Sequence, residues 1–183
     1  MILLFGLAGS GKSTQGQLLA ARMGWRWLSI GQLLRDTTDK KLRRKIQAAQ
    51  RKGKLVDNKI STHMVRIAVN KAEREVGGEV LDGFPRDLEQ AEWLAHGDYP
   101  VDLAIVLNVP KRNLLKRLHI RGRADDASAE VIEQRFKVFE GDISAIRQVL
   151  EGRGAKFVEV DGVGTVGEVH DRVMKEVEKC QLA

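Results

Sequence analysis

The chain has 183 residues, 43% hydrophobic and 31% charged, which suits one domain that buries its own core and excludes a disordered polyelectrolyte. Its 31 basic and 25 acidic residues leave a net charge of +6, a balance that fits a polyanion partner or a site gathering several phosphates. One cysteine, Cys180, excludes an internal disulfide framework, and no apolar segment approaches the length of a membrane span, so a reducing cytoplasmic setting without membrane contact is expected.

Residues 1–4, MILL, form an apolar run that predicts a buried strand. The loop that follows places Gly6, Gly11, Lys12 and Ser13 at the spacing G-x-x-x-x-G-K-[ST]. Glycine there admits backbone angles that a side chain forbids, so successive N–H groups can turn onto phosphate oxygens. Lys12 adds a cation, Ser13 a hydroxyl suited to magnesium, and the next helix its positive N-terminal end. A dinucleotide-binding turn is excluded, because Gly9 and Gly11 would need a third glycine where Thr14 stands. Gly9, Ser10, Gly11, Lys12, Ser13 and Thr14 are thus the expected phosphate cradle.

A helix over 12–23 follows, with Leu18, Leu19 and Met23 at helical spacing, and then a short strand over 25–29. Residues 31–76 are a long polar stretch with two or three helical patterns. Within it Ile60, Met64, Ile67, Ala68 and Ala72 make one stripe, with Asp57 as cap. That is more than one crossover needs, so an inserted helical lobe is expected. Further strands are predicted over 78–83, 101–109 and 155–162. Five short apolar strands separated by helices predict an α/β fold with a parallel sheet covered on both faces. Asp82 ends one of them, at the edge where open α/β sheets bind ligands, and can hold magnesium through water beside Ser13. Residues 119–130, HIRGRADDASAE, are too polar for core and read as a short mobile flap. In the helix after it, Ile132, Phe136, Phe139, Ile143, Ile146 and Leu150 share one face, and Arg135 borders that stripe. Neither repeat nor linker divides the chain, so one domain over 1–183 is expected, its core made of 1–30, 77–118 and 131–183.

The segments GLAGSGKSTQ, SIGQLLR, GKLV and DGFPRDLEQ stand in the order and approximate spacing of the nucleoside monophosphate kinases. From residue 1 to about residue 175 the chain resembles the short-lid adenylate kinases among them. The resemblance implies a P-loop nucleoside triphosphate hydrolase-like fold, a lobe over about 31–76 for the monophosphate and a lid over about 119–130. It implies reversible, magnesium-dependent transfer of the ATP γ-phosphoryl group to AMP, giving two ADP, by a monomer. By position, Arg35 and Arg86 resemble the arginines that grip the AMP phosphate. Gln90 resembles the glutamine that reads the adenine edge, Lys54, Leu55 and Val56 the segment lining that base, and Ile30 and Gly83 belong to the same AMP site. Arg117, Arg123 and Arg135 resemble the arginines around the transferring phosphates, and Asp125 and Asp126 the acidic pair of a closed lid.

The pattern departs at four positions. Ile30 stands where a hydroxyl is usual, Gln32 where an aspartate is, Asn113 where an arginine usually stacks on the donor adenine, and Thr165 where some members have a proline. The alternatives are transfer to UMP, CMP or another monophosphate and, from a different class, a P-loop switch or RNA-associated factor. A switch would have lost the acceptor arginines or the lid, and both sets are in the sequence. Aromatics, at 5% and not interleaved with basic residues, count against a nucleic-acid partner.

Overall fold

The computed structural model describes residues 1–72, 77–121 and 128–182. Its strands are β1 (Ile2–Phe5), β2 (Arg26–Ser29), β3 (Glu79–Asp82), β4 (Leu103–Asn108) and β5 (Lys156–Asp161). They pair in parallel in the order β2-β3-β1-β4-β5. All four β1 residues are buried because the central strand is covered on both faces. Alternation then assigns each side chain to a core. Leu3 and Phe5 join Leu81, Ala104 and Val106 in one, with residues of α5 (Leu88–His96) and α7 (Ala129–Glu151). Ile2 and Leu4 join Val80, Leu103 and Ile105 in the other, against α1 (Lys12–Met23) and α8 (Val166–Lys179). The α/β parallel-sheet architecture expected from the sequence is the one observed. The strand order reverses beside β1, and a crevice opens at that point of such sheets, at the carboxyl ends of the strands.

Three helices lie between β2 and β3: α2 (Ile30–Asp36), α3 (Lys40–Gln50) and α4 (Asn58–Ala72); α6 (Lys111–Arg121) follows β4. Short polar residues start several helices by accepting a backbone N–H. Asp39 accepts from Leu42 N at 2.9 Å, Asp87 from Gln90 N at 2.9 Å and Asp57 from Lys59 N at 2.9 Å. Thr165 forms a reciprocal capping box with Glu168 at the start of α8, which gives this departure a local role.

Two expected stripes are corrected. In α4 Ile67 is 56% exposed, and the buried side is Ser61, Val65, Ala68 and Val69, one residue-step round from the expected line. In α1 Leu18 is exposed, whereas Gln15, Gly16, Leu19 and Ala20 are buried. Hydropathy misses that face because it contains an amide and a glycine. Gly16 is required there, since a Cβ would stand 2.8 Å from the Trp27 ring. The Ala72 side chain, and Arg123, Asp125 and Asp126 of the expected flap, lie outside the described residues.

Candidate functional site

The loop leaving β1 takes the conformation that its glycines allow: φ is +146° at Gly6, +86° at Gly9 and +94° at Gly11. Gly11 caps α1 without a side-chain partner, so the helix start presents backbone amides, as anion-binding helix ends do. Ser10 is buried, and its hydroxyl has no hydrogen-bond partner among the described residues. Lys12 Nζ approaches Leu7 O at 3.4 Å, folding back over the loop. Ser13 Oγ donates to Asp82 Oδ2 at 2.5 Å, tying the loop to the end of β3. Asp82 is 2% exposed, a charge held at the sheet edge.

Arg117 sits behind this loop. Its guanidinium approaches three carbonyl oxygens, Gly9 at 3.5 Å, Ser10 at 3.4 Å and Gly162 at 3.2 Å. Gly162 was missed by the sequence reading, although the turn after the last strand marks it: a Cβ there would stand 2.6 Å from Val109 Cγ2. Asn113, which stands where an arginine is usual, is half-buried in the first turn of α6, its N–H donating to Pro110 O at 2.8 Å.

The opposite wall is built by α2, the α3–α4 turn and the segment after β3. Arg86 Nε donates to Gly83 O at 2.7 Å, which folds the side chain over its own turn. Gln32 links the two charges of its helix: its Oε1 accepts from Arg35 Nη2 at 3.0 Å and its Nε2 donates to the Asp36 carboxylate at 2.8 and 3.1 Å. Gly53, at φ +63°, seats the α3–α4 turn on the start of α7, where a Cβ would stand 2.7 Å from Val131 O.

Gln90 is 2% exposed and its amide is fully engaged. Oε1 accepts from Arg86 N at 2.9 Å, which fixes the orientation, and Nε2 donates to Asn58 Oδ1 at 2.6 Å and Ser61 Oγ at 3.3 Å. Asn58 Nδ2 in turn reaches Glu89 Oε2 at 2.6 Å.

One cleft collects the charged groups. Lys12, Ser13 and Asp82 face Arg35, Lys54 and Arg86 across it, with Leu55, Val56 and Gly83 on the same wall and Arg135 entering from α7. Five cations and one carboxylate line it, together with an apolar wall of Leu34, Val138, Phe139 and Ile146. Phe139 and Ile146 had been read only as core, since a stripe that also floors a cleft has no separate periodic signal. Gly9, Ser10, Gly11, Thr14, Ile30, Gln90 and Arg117 do not line the cleft. Ile30 is 1% exposed and packs beneath Gly83.

Parallel sheet, phosphate loop and cation-lined cleft together define a class: phosphate-loop transferases acting on nucleotides. Within that class the adenylate kinase family model matches residues 4–154. The adenylate kinase of Nocardia farcinica is 33% identical over 180 residues, 95% of this chain and 97% of that protein. That of Mycobacterium marinum is 33% identical over 184 residues, 97% and 99% of the two chains. That of Mycobacterium sp. strain MCS is 34% identical over 180 residues, 95% and 97%. The chain belongs to the adenylate kinase family.

Proposed function

We propose that this chain transfers the γ-phosphoryl group of ATP reversibly to AMP, giving two ADP, as a cytoplasmic monomer. The observation that supports this reading is the single cleft that sets Lys12 and Ser13 of the loop against Arg35, Arg86 and Arg135. A phosphate-loop switch has no use for the second group of cations. An oxygen of the AMP phosphate attacks Pγ, the bond to the β–γ bridging oxygen breaks, and that oxygen leaves on ADP. The chain's work is alignment and charge, since no covalent enzyme intermediate is needed. Lys12, Arg86 and Arg135 offset charge on the transferring group, and Arg117 holds the loop carbonyls so that its amides stay directed at the ATP phosphates. Gly9, Ser10, Gly11 and Thr14 complete the ATP side. Residues 31–76 act as the AMP lobe and 119–130 as the lid that brings Arg123 onto the phosphates and excludes water.

Magnesium fits the donor set. Ser13 hydroxyl and Asp82 carboxylate are adjacent hard oxygens, suited to an ion that keeps several waters and rests largely on substrate phosphates. Among the described residues no group of three His, Cys, Asp or Glu could hold a metal by itself. When bound, the ion supplies charge neutralisation of the phosphates. Among the described residues no helix is long and apolar enough to cross a membrane.

A second reading, with a pyrimidine monophosphate as acceptor, is favoured by Gln90 alone. Its Nε2 must leave Asn58 and Ser61 before it can pair with adenine. Phosphorus-31 NMR of an equimolar ATP and AMP mixture tests the proposal. Conversion of both nucleotides to ADP, approaching the same mixture from ADP alone, is expected; release of inorganic phosphate with AMP left unconsumed would show a hydrolytic switch.

A further inference from the structure

The positive charge of this protein is not spread over its surface. Of 31 basic and 25 acidic residues, eight basic and no acidic ones lie within 40–54, so the rest of the chain holds 23 against 25 and is slightly acidic. The segment is α3 with its exit turn. At 100° per residue, Lys40 and Arg44 fall along one line of the helix and Lys41 and Lys45 along the adjacent line, and Arg51 and Lys52 follow in the exit turn. All six are exposed. Among the described residues none of the six has an ion-pair partner. Leu42, Ile46 and Ala49 occupy the opposite side and pack into the core.

We infer that this face of α3 is a docking surface for the phosphodiester backbone of duplex DNA, separate from the nucleotide cleft. A solvated helix face ordinarily mixes signs at i, i+4, whereas like charges at that spacing repel and destabilise the helix. Here Lys40–Arg44 and Lys41–Lys45 are both like pairs, a cost that a polyanion removes. The helix of 11 residues is about 16 Å long. One duplex strand carries a phosphate every ~3.4 Å of axis, so roughly five phosphates face it. The segment 40–54 contains no aromatic residue, so it has no platform for stacking the bases of a single strand. The scarcity of aromatics therefore bears on single strands and not on a backbone held by charge. A membrane surface is disfavoured because interfacial helices bury an apolar face in lipid, and this helix turns its apolar face inward.

The test is fluorescence anisotropy with the full chain against a DNA duplex, an RNA duplex of matching sequence, the corresponding single strands and phosphatidylserine vesicles. Two variants carry the same change in net charge. One replaces Lys40, Lys41, Arg44 and Lys45 with glutamine, and the other replaces Lys116, Lys137, Lys156 and Lys175, exposed lysines outside α3. The parent should bind duplex DNA with a steep salt dependence, a slope of about −4.5 in log K against log salt for about five phosphates. The α3 variant should lose about 30-fold or more in affinity and the other variant less than about threefold, with circular dichroism unchanged in both. Duplex RNA binding more tightly than duplex DNA would overturn the inference, since the phosphate spacing matched here is that of DNA. Equal losses in the two variants would reduce the effect to net charge and overturn the inference. So would single strands or vesicles binding more tightly than duplex, or no duplex binding at low salt.

Discussion

Ser13 and Asp82 lie 69 residues apart and share a hydrogen bond of 2.5 Å. Both were legible in the sequence, one from loop spacing and the other from the end of an apolar strand. Beside them, Lys12→Ala should remove transfer activity by roughly two to three powers of ten, the effect of losing one contact to developing charge. Steady-state turnover of the folded variant, with its circular dichroism unchanged, checks this. A second residue carries a pH dependence. His170 Nδ1 stands 3.2 Å from Gln15 Oε1, and Gln15 Nε2 donates to Val166 O at 2.9 Å, so Nδ1 holds the proton and α1 is clamped to α8. Burial holds the imidazole below its usual 6.5, with Arg22 adding to the shift and Asp171 opposing it. The unfolded chain then binds more protons as pH falls through 6.5, so the stabilising contribution is full above that value and declines toward the lower folded pKa. His170→Gln should lose less Tm than the parent between about pH 7.5 and about pH 5.5. Other site residues were legible only in part. Gln90 was found by position, but its saturation by Asn58 and Ser61 depends on how α4 meets α5, which no local pattern encodes.

At the scale of elements, the strands and the α7 stripe were readable because burial on both faces, or along one seam, leaves a clean periodic record. The faces of α1 and α4 were misread where Gln15, Gly16 and Ser61 fill buried positions that hydropathy counts as polar or neutral. The α3–α4 turn makes an element-scale prediction. Gly53 combines φ +63° with a Cβ position 2.7 Å from Val131 O, so alanine must open the contact between this turn and α7. Gly53→Ala should raise KM for the monophosphate about tenfold while leaving KM for ATP within about twofold, because only the wall proposed for the acceptor moves. At the start of α8, Thr165→Ala should cost about 1 kcal/mol through loss of the capping box. For a chain of this size that is a Tm fall of about 2 to 4 °C by calorimetry.

Across the whole molecule, the single cleft joins groups from β1, β3, α2, the α3–α4 turn and α7, and the parallel sheet sets the distances between them. On the proposed function, excluding water from this cleft keeps the phosphoryl group from being lost to hydrolysis. A mimic of both substrates, two adenosines joined by five phosphates, should therefore slow hydrogen exchange over 31–60 and over 113–135 together. Arg123→Ala should lower kcat more than it weakens AMP binding, since the charge proposed for it is felt only after closure. Acceptor choice carries the central claim. Initial rates with ATP and AMP, CMP, UMP or GMP under matched conditions measure kcat/KM for each. The account predicts that AMP has the highest value, with Gln90 released from Asn58 to read the base; a value for CMP or UMP about ten times that of AMP would contradict it.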